Sequence, residues 1–394
     1  MTTQLPKGFR LATINAGFRQ TVRPDICLAV SDFPAVTAAV FTQAAFVAAP
    51  VIVAREQVRN GRPMRAVLIN TGQANACTGE EGIANCRETL RWTANACGLQ
   101  ATEILPASTG VIGAQMKMDL WEKAIPKLAP KLGSASVKEF ADAMRTTDAF
   151  PKFSGAAIAT ENGTITLAGM AKGAGMICPD MATMLCVVLC DALVPLDVWQ
   201  RMFREAVNVT FNRVTVDGDT STNDTVYGLA NGASGVTPEG HDLSLLRAAL
   251  EKILGELAYM LVRDGEGATK VLRIAVTGAA DDADAEKVAR TVGHSQLVKT
   301  AMYGKDANWG RIVAAVGRSG ASFQAKDVRV SLCGVELFRD EQPVAIDFDA
   351  LLEEPLQGRD IAIDISLGSG GGSYTLLASD LTHAYVDCNA AYRS

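Results

Sequence analysis

The 394-residue sequence predicts an α/β fold with mixed or antiparallel sheets. Short apolar runs bounded by Gly, Pro, Asn and Asp recur along it, as buried strands require. Longer stretches with apolar residues three and four apart stand between them, as helices packed on a sheet require. No internal repeat and no low-complexity linker interrupts the series.

Residues 26–30, 38–41, 51–54 and 66–69 are apolar runs predicted to be strands of one sheet. The Gly- and Asn-containing stretch 70–79 reads as a tight polar loop, followed by a helix over 81–97. A second polar loop, 106–113, precedes helical patterns near 119–132 and 136–146. A strand pair near 156–159 and 164–168 leads into a glycine-rich segment. Beyond it come a strand at 184–190, a helix near 196–207, a polar block at 212–224 and a long helix over 243–262. A strand at 272–277 is followed by the acidic run 281–286, which suits the positive end of a helix. Strands are predicted near 328–338, 361–366 and 374–378.

Composition narrows the function. With 48% hydrophobic and 20% charged residues, the chain can fill one large core or two lobes of ordinary size. A net charge of −6 argues against a basic face for nucleic acid or an anionic membrane. No apolar run reaches membrane-span length, and the first residues lack the apolar core of a signal peptide. Nine cysteines without a C-x-x-C pair read as reduced thiols, so a cytoplasmic location is expected. Only His241, His294 and His383 occur, which argues against a His-based triad or a multi-His metal site. No metal and no cofactor is expected.

The chain is organised around Lys172-Gly173-Ala174-Gly175-Met176-Ile177-Cys178-Pro179-Asp180-Met181-Ala182-Thr183-Met184-Leu185. Its glycines permit unusual backbone angles, and the apolar run that follows puts Thr183 at the head of a buried strand. A Thr hydroxyl needs an adjacent base to act as a nucleophile. Cutting the chain before the Thr supplies one, its own α-amine, whose reference pKa of roughly 7.7–8.0 leaves part of it neutral near pH 7. From the residues alone, an ordinary strand-leading Thr after a Gly/Pro turn stays open beside this reading.

This segment resembles the self-cleavage signature of the ornithine acetyltransferase (glutamate N-acetyltransferase) family. The similarity extends nearly end to end, through Ser108-Thr109-Gly110-Val111-Ile112-Gly113, residues 211–225 and 264–270, Lys305-Asp306-Ala307-Asn308-Trp309-Gly310-Arg311, and Asp380-Leu381-Thr382 to the C-terminus. It implies an αββα sandwich of two interlocked lobes, cut between Ala182 and Thr183 into fragments 1–182 and 183–394, two copies of each assembling. The implied reaction moves acetyl from N2-acetyl-L-ornithine to L-glutamate through acetyl-Thr183, in arginine biosynthesis. Some members also accept acetyl-CoA.

By the same resemblance Thr109 and Gly110 stabilise the oxyanion, a role for which a hydroxyl and an unobstructed N–H are suited. Lys172 reads as a carboxylate ligand or a solvated loop lysine, and Glu266 as a partner for a substrate ammonium or a loop carboxylate. Matching motifs add Thr146 or Thr147, Asn389 and the terminal Ser394 as substrate contacts. Two positions depart from the family: Gln73 and Asp180, where Asn is more usual. A carboxylate three residues before Thr183 would raise the amine pKa.

Other motifs carry less. Asp217-x-Asp219-x-Ser221-x-Asn223 opens like a calcium loop but has Thr222 at position six and Gly228 at position twelve. Residues 211–225 are read instead as packing and hydrogen bonding around the site. Gly368-Ser369-Gly370-Gly371-Gly372 lacks Gly-Lys-Ser/Thr and reads as a hairpin turn. Cys178, Cys186 and Cys190 read as core residues. Two alternative functions remain from sequence: an amidohydrolase or aminopeptidase with water as acceptor, and a non-catalytic amino-acid-binding regulatory protein.

Overall fold

The computed structural model describes residues 3–19, 22–178 and 184–391. The first half contains β1 (Phe9–Ile14), β2 (Ile26–Phe41), α1 (Ala49–Val58), β3 (Met64–Gln73), α2 (Gly79–Cys97), β4 (Ile104–Val111), α3 (Met118–Leu128), α4 (Val137–Met144), β5 (Lys152–Thr160) and β6 (Gly163–Lys172). Then follow β7 (Leu185–Cys190), α5 (Leu196–Val209), β8 (Val214–Thr215), β9 (Thr225–Ala230) and α6 (Gly240–Arg263). The last third holds β10 (Val271–Ala279), α7 (Asp282–Gly293), α8 (Gln296–Tyr303), α9 (Trp309–Gly317), β11 (Arg329–Leu332), β12 (Val335–Arg339), β13 (Gln342–Pro343), α10 (Phe348–Leu352), β14 (Asp360–Ser366), β15 (Gly372–Ser379) and α11 (His383–Ala391).

One eight-stranded sheet, ordered β4-β3-β2-β9-β7-β6-β5 with β1 beside β2, supplies both inner layers. The long strand β2 makes this possible. Its first half pairs with β1 and β3, its second with β9, and its register with β3 slips between Val30 and Ala35, around Pro34. Side chains alternate across each strand. Cys27, Val67, Ile69 and Leu105 therefore meet Met170, Leu185, Val187 and Leu229 in a core between the layers. On the outer face of one layer Leu28, Leu68 and Ile104 pack on Leu90 of α2 and Trp121 of α3. On the outer face of the other, Leu167, Val188 and Val226 pack on Phe203 of α5 and Leu254 of α6. The order is helix, sheet, sheet, helix: the αββα sandwich that the resemblance implies.

A second, seven-stranded mixed sheet, β13-β12-β11-β14-β10-β15-β8, is built wholly from residues after 213. It buries one face against α7, α8 and α9. Among the described residues, no helix is long and apolar enough to cross a membrane.

Three local expectations need correction. Residues 51–54 are helical, within α1. Four apolar residues fit either period, and Pro50, in the first turn where its missing N–H costs nothing, was the signal for a helix. The stretches 70–79 and 106–113 are not simply loops. The parallel pair β3–β4 runs on through Thr71 and Thr109, because the Ser108 hydroxyl donates to the Asn70 side chain at 2.6 Å and satisfies both in a buried strand. Residues 328–338 form a hairpin, turning at Cys333 and Gly334 with positive φ. Helices α8, α9 and α11 had no counterpart in the sequence reading.

Candidate active site

The described candidate residues converge. Thr109, Gly110, Thr146, Thr147, Lys172, Glu266 and Asn389 all line one narrow cavity of about 90 Å³. They come from β4, the turn after α4, the end of β6, the loop after α6, and α11. Ala182, Thr183, Ser394 and the departing residue Asp180 lie outside the described residues. The chain leaves the described structure at Cys178 and re-enters at Met184, whose N–H donates to the Asp224 carboxylate at 3.0 Å.

Two strand ends form one wall. Gly72 and Gly110 are register partners, and a Cβ on Gly110 would stand 2.4 Å from the Gly72 carbonyl carbon. Gly110 also has φ 134°, so only glycine closes the strands this tightly. Asn223 clamps the same ends, donating from Nδ2 to the Ala74 carbonyl (2.6 Å) and the Ser108 carbonyl (2.9 Å). This is the hydrogen-bonding role read for the 211–225 block.

Lys172 is not a solvated loop lysine. It ends β6, is 3% exposed, and its Nζ donates to the Thr109 hydroxyl at 3.2 Å. Burial lowers its pKa more than Asp148, Asp224 and Glu266 raise it, with Lys152 adding to the fall.

Behind it lies a buried ion cluster that sequence reasoning missed. Lys152 bridges Asp148 at 2.7 Å and Asp264 at 2.5 Å. Asp148 also accepts the N–H groups of Gly173 (2.7 Å) and Thr146 (2.9 Å), and Asp264 that of Ala149. These bonds hold the 146–149 turn against the glycine loop. Burial is the largest influence on both carboxyls. At Asp148 it is outweighed by Lys152 and Lys172, and the pKa falls below the usual range; at Asp264 burial prevails and the pKa rises. Asp148 faces two lysines, Lys152 and Lys172, whereas Asp264 faces Lys152 alone among the lysines that lower it. Only the pair Thr147-Asp148 beside Thr146 hinted at this, because the partners are distant in sequence.

Asp224 is fully buried, and burial raises its pKa well above the carboxylate range despite the Met184 N–H and Lys172. Its carboxyl thus faces the backbone of Met184, the residue that follows position 183 in the chain. Asp217 accepts the N–H groups of Met176 (2.6 Å) and Ile177 (2.9 Å), pinning the glycine loop where Met176 takes φ 57°. Its carboxylate thus serves the loop, which accounts for the calcium-like spacing. Glu266 bonds Asn389 Nδ2 at 3.0 Å, and its N–H donates to the Ala174 carbonyl at 2.8 Å. A Cβ on Gly175 would fall 2.3 Å from Glu266 Oε2, so that glycine keeps room for the carboxylate.

Of the three cysteines, Cys186 and Cys190 are buried in the core cluster, their thiol pKa values raised by burial. Cys178 is buried too, but its sulfur is 3.5 Å from His294 Nε2, a neighbour 116 residues away.

The ArgJ family model matches residues 10–394. The chain belongs to the ArgJ family. It is 67% identical over 390 residues to an "arginine biosynthesis bifunctional protein ArgJ" from Nitratidesulfovibrio vulgaris, covering 99% of each chain. The ArgJ of Geobacter sulfurreducens is 43% identical over 392 residues, covering 98% of this chain and 99% of its own. A solved ArgJ from Bacillus halodurans is 38% identical and covers 51% of this chain and 96% of its own, with a TM-score of 0.49. As an ArgJ protein, the chain is a transferase enzyme of arginine biosynthesis.

Proposed function

We propose that this ArgJ protein cuts itself between Ala182 and Thr183 and then transfers acetyl from N2-acetyl-L-ornithine to L-glutamate through acetyl-Thr183. The observation that carries the reading is the convergence of seven described residues on one cavity, among them Lys172, which pairs across the sheet with Leu185. The related ornithine acetyltransferase from Mycobacterium tuberculosis, 35% identical, was solved in complex with ornithine.

The Thr183 α-amine would take the hydroxyl proton as the oxygen attacks the acetyl carbonyl, then return it to the leaving ornithine amine. Because Lys172 occupies a lone pair on Thr109 Oγ1, the Thr109 proton is left to point at the developing oxyanion, beside the Gly110 N–H. Glu266 would meet the substrate ammonium, with Thr146 or Thr147, Asn389 and Ser394 completing the substrate contacts. Lys172 would also attract a substrate carboxylate. Glutamate then enters; its amine, losing a proton to the Thr183 α-amine, attacks the acetyl carbonyl, the ester C–O bond breaks as the proton returns to the Thr183 oxygen, and N-acetylglutamate leaves. No cofactor takes part in these steps. Fragments 1–182 and 183–394 share the central sheet through β6 and β7, paired from Lys172↔Leu185 to Leu167↔Cys190. That supports their staying together after the cut, as a cytoplasmic assembly of two copies of each.

A denaturing gel and intact-mass measurement test the cut: two fragments, the second beginning at Thr183, and one uncut, inactive chain for Thr183→Ala. Acetylornithine alone should acetylate the 183–394 fragment on the Thr183 hydroxyl, and glutamate should discharge it, with parallel double-reciprocal lines. Intersecting lines without an acetyl-fragment would overturn the covalent route. Deacetylation independent of glutamate would make the protein an amidohydrolase.

A further inference from the structure

Lys172 and Thr109 can share a hydrogen bond in two directions, and only one of them serves acyl transfer. An ammonium has no lone pair, so it can only donate; the Thr109 oxygen then accepts, and its proton stays available for the oxyanion. A neutral Lys172 amine has a lone pair and can take the Thr109 proton instead, which removes that donor. The charge on Lys172 therefore decides what Thr109 can do. The immediate surroundings work against the charge: the side chain is buried, and the acceptor it reaches at 3.2 Å is an uncharged hydroxyl.

Asp148 opposes this. Its side chain is fully buried, and backbone holds each carboxylate oxygen. Oδ1 accepts the N–H of Gly173, the residue after Lys172, at 2.7 Å, and Oδ2 accepts that of Thr146 at 2.9 Å. Lys152, paired across β5 and β6 with Ala171, bonds Oδ1 too but divides its ammonium between Asp148 and Asp264. Arg145 and Arg23 donate to carbonyls of the same turn, those of Arg145, Thr146, Asp148 and Ala149. Burial is the largest influence on the Lys172 pKa and lowers it. Asp148 comes next and raises it, followed by Lys152, which lowers it, and by Asp224 and Glu266, which raise it. Burial raises the pKa of Asp224 itself, and Glu266 is the group proposed for the substrate ammonium. That leaves Asp148 as the standing counter-charge.

We propose that Asp148 is a positioning residue for the oxyanion donor: it holds Lys172 as an ammonium and so fixes the direction of the Lys172–Thr109 hydrogen bond, with Lys152 acting against it. Asp148 is not among the described residues that line the cavity, so it acts through Lys172. The inference rests on the reading of Thr109 as the oxyanion donor. Two neighbours in one cluster then have opposite effects. Without the Asp148 charge Lys172 sheds its proton at lower pH; without the Lys152 charge it keeps the proton to higher pH. A general loosening of the fold would not act in opposite directions.

The test follows kcat against pH for acetyl transfer from acetylornithine to glutamate by the processed enzyme. The Lys172 side chain is followed separately, by NMR of protein isotope-labelled at lysine Cε, its signal assigned by its loss in Lys172→Arg. In wild type kcat should fall on the alkaline side as Lys172 loses its proton. Asp148→Asn should move that fall, and the Lys172 titration, about one pH unit lower, and Lys152→Met should move both higher. Asp148→Glu keeps the charge and should keep the fall in place even if kcat drops. Lys172→Arg stays charged and should remove the fall. A Lys172 titration in Asp148→Asn at its wild-type pH overturns the proposal, and so does one that moves while the fall in kcat stays. If Asp148→Asn does not fold, Lys152→Met decides from the other side, and an unmoved or lowered titration there overturns the proposal. If wild type exchanges no acetyl but the Lys172 titration shifts as described, the control of its charge stands and the acetyl-transfer reading falls.

Discussion

The Lys172 ammonium donates to the Thr109 hydroxyl across 3.2 Å, joining the last residue of β6 to β4 in the facing layer of the sandwich. It links the two inner layers at the cavity. The bond ties the Thr109 hydroxyl to Lys172, and both residues line the cavity.

Thr109→Ala should lower kcat by about a hundredfold while leaving the KM for acetylornithine nearly unchanged, because the donor acts as charge develops. Lys172→Met should lower kcat as well, through the unoriented Thr109, and also raise KM through a lost carboxylate contact. Steady-state kinetics of both variants separate the two roles. Equal kcat in wild type and Thr109→Ala would remove Thr109 from the oxyanion site.

Gly175→Ala should reproduce the defect of Glu266→Gln, because the new methyl would stand where the Glu266 carboxylate now lies. Both should raise the KM for acetylornithine. The double variant should be little worse than either single one, since neighbours that act through one contact are not additive. Additive effects in this cycle would show that Gly175 serves the loop backbone and not Glu266.

Asp217 links loop anchoring to pH. Burial raises its carboxyl from 3.8 to about 6, ahead of the lowering by the N–H groups it accepts. The folded state therefore holds the proton more tightly than the unfolded chain. The resulting stability is fully present below pH 3.8 and is lost as pH rises through 6. At about 1.4 kcal/mol per pK unit, this is a loss on the order of 3 kcal/mol. In an uncut Thr183→Ala background, urea unfolding between pH 4 and 7 should show this decline, and Asp217→Asn should remove it. A parallel pH profile in the two chains would place the titration elsewhere.

Much of the site was legible where one local segment carries the chemistry. Ser108-Thr109-Gly110, the Lys172–Thr183 segment and Gly265-Glu266-Gly267 are contiguous, and glycine identity follows from backbone demands that act over a few residues. Helix α2 and strand β7 were equally plain, because length and apolar pattern left one period to choose. Val51–Ala54 was misread because four residues do not define a period, and the decisive residue was a flanking proline.

The cluster of Lys152, Asp148 and Asp264 could not be read in advance, since its bonds span up to 112 residues and its meaning is burial. The same holds for Cys178 and His294. The sequence by itself determined which segments are strands or helices, where glycine must stand, and which residue types are present for acyl transfer. Tertiary structure alone decided which of them meet, and with what charge. Asp148 and Asp224 are the same residue type on nearby loops. Two lysines outweigh burial and lower the pKa of Asp148, while at Asp224 burial outweighs the hydrogen bonds from Met184 and Ser221 and the charge of Lys172, and the pKa rises. Protonation follows from solvent exclusion and from neighbours set by the packed sheets, and neither exists until the layers have closed.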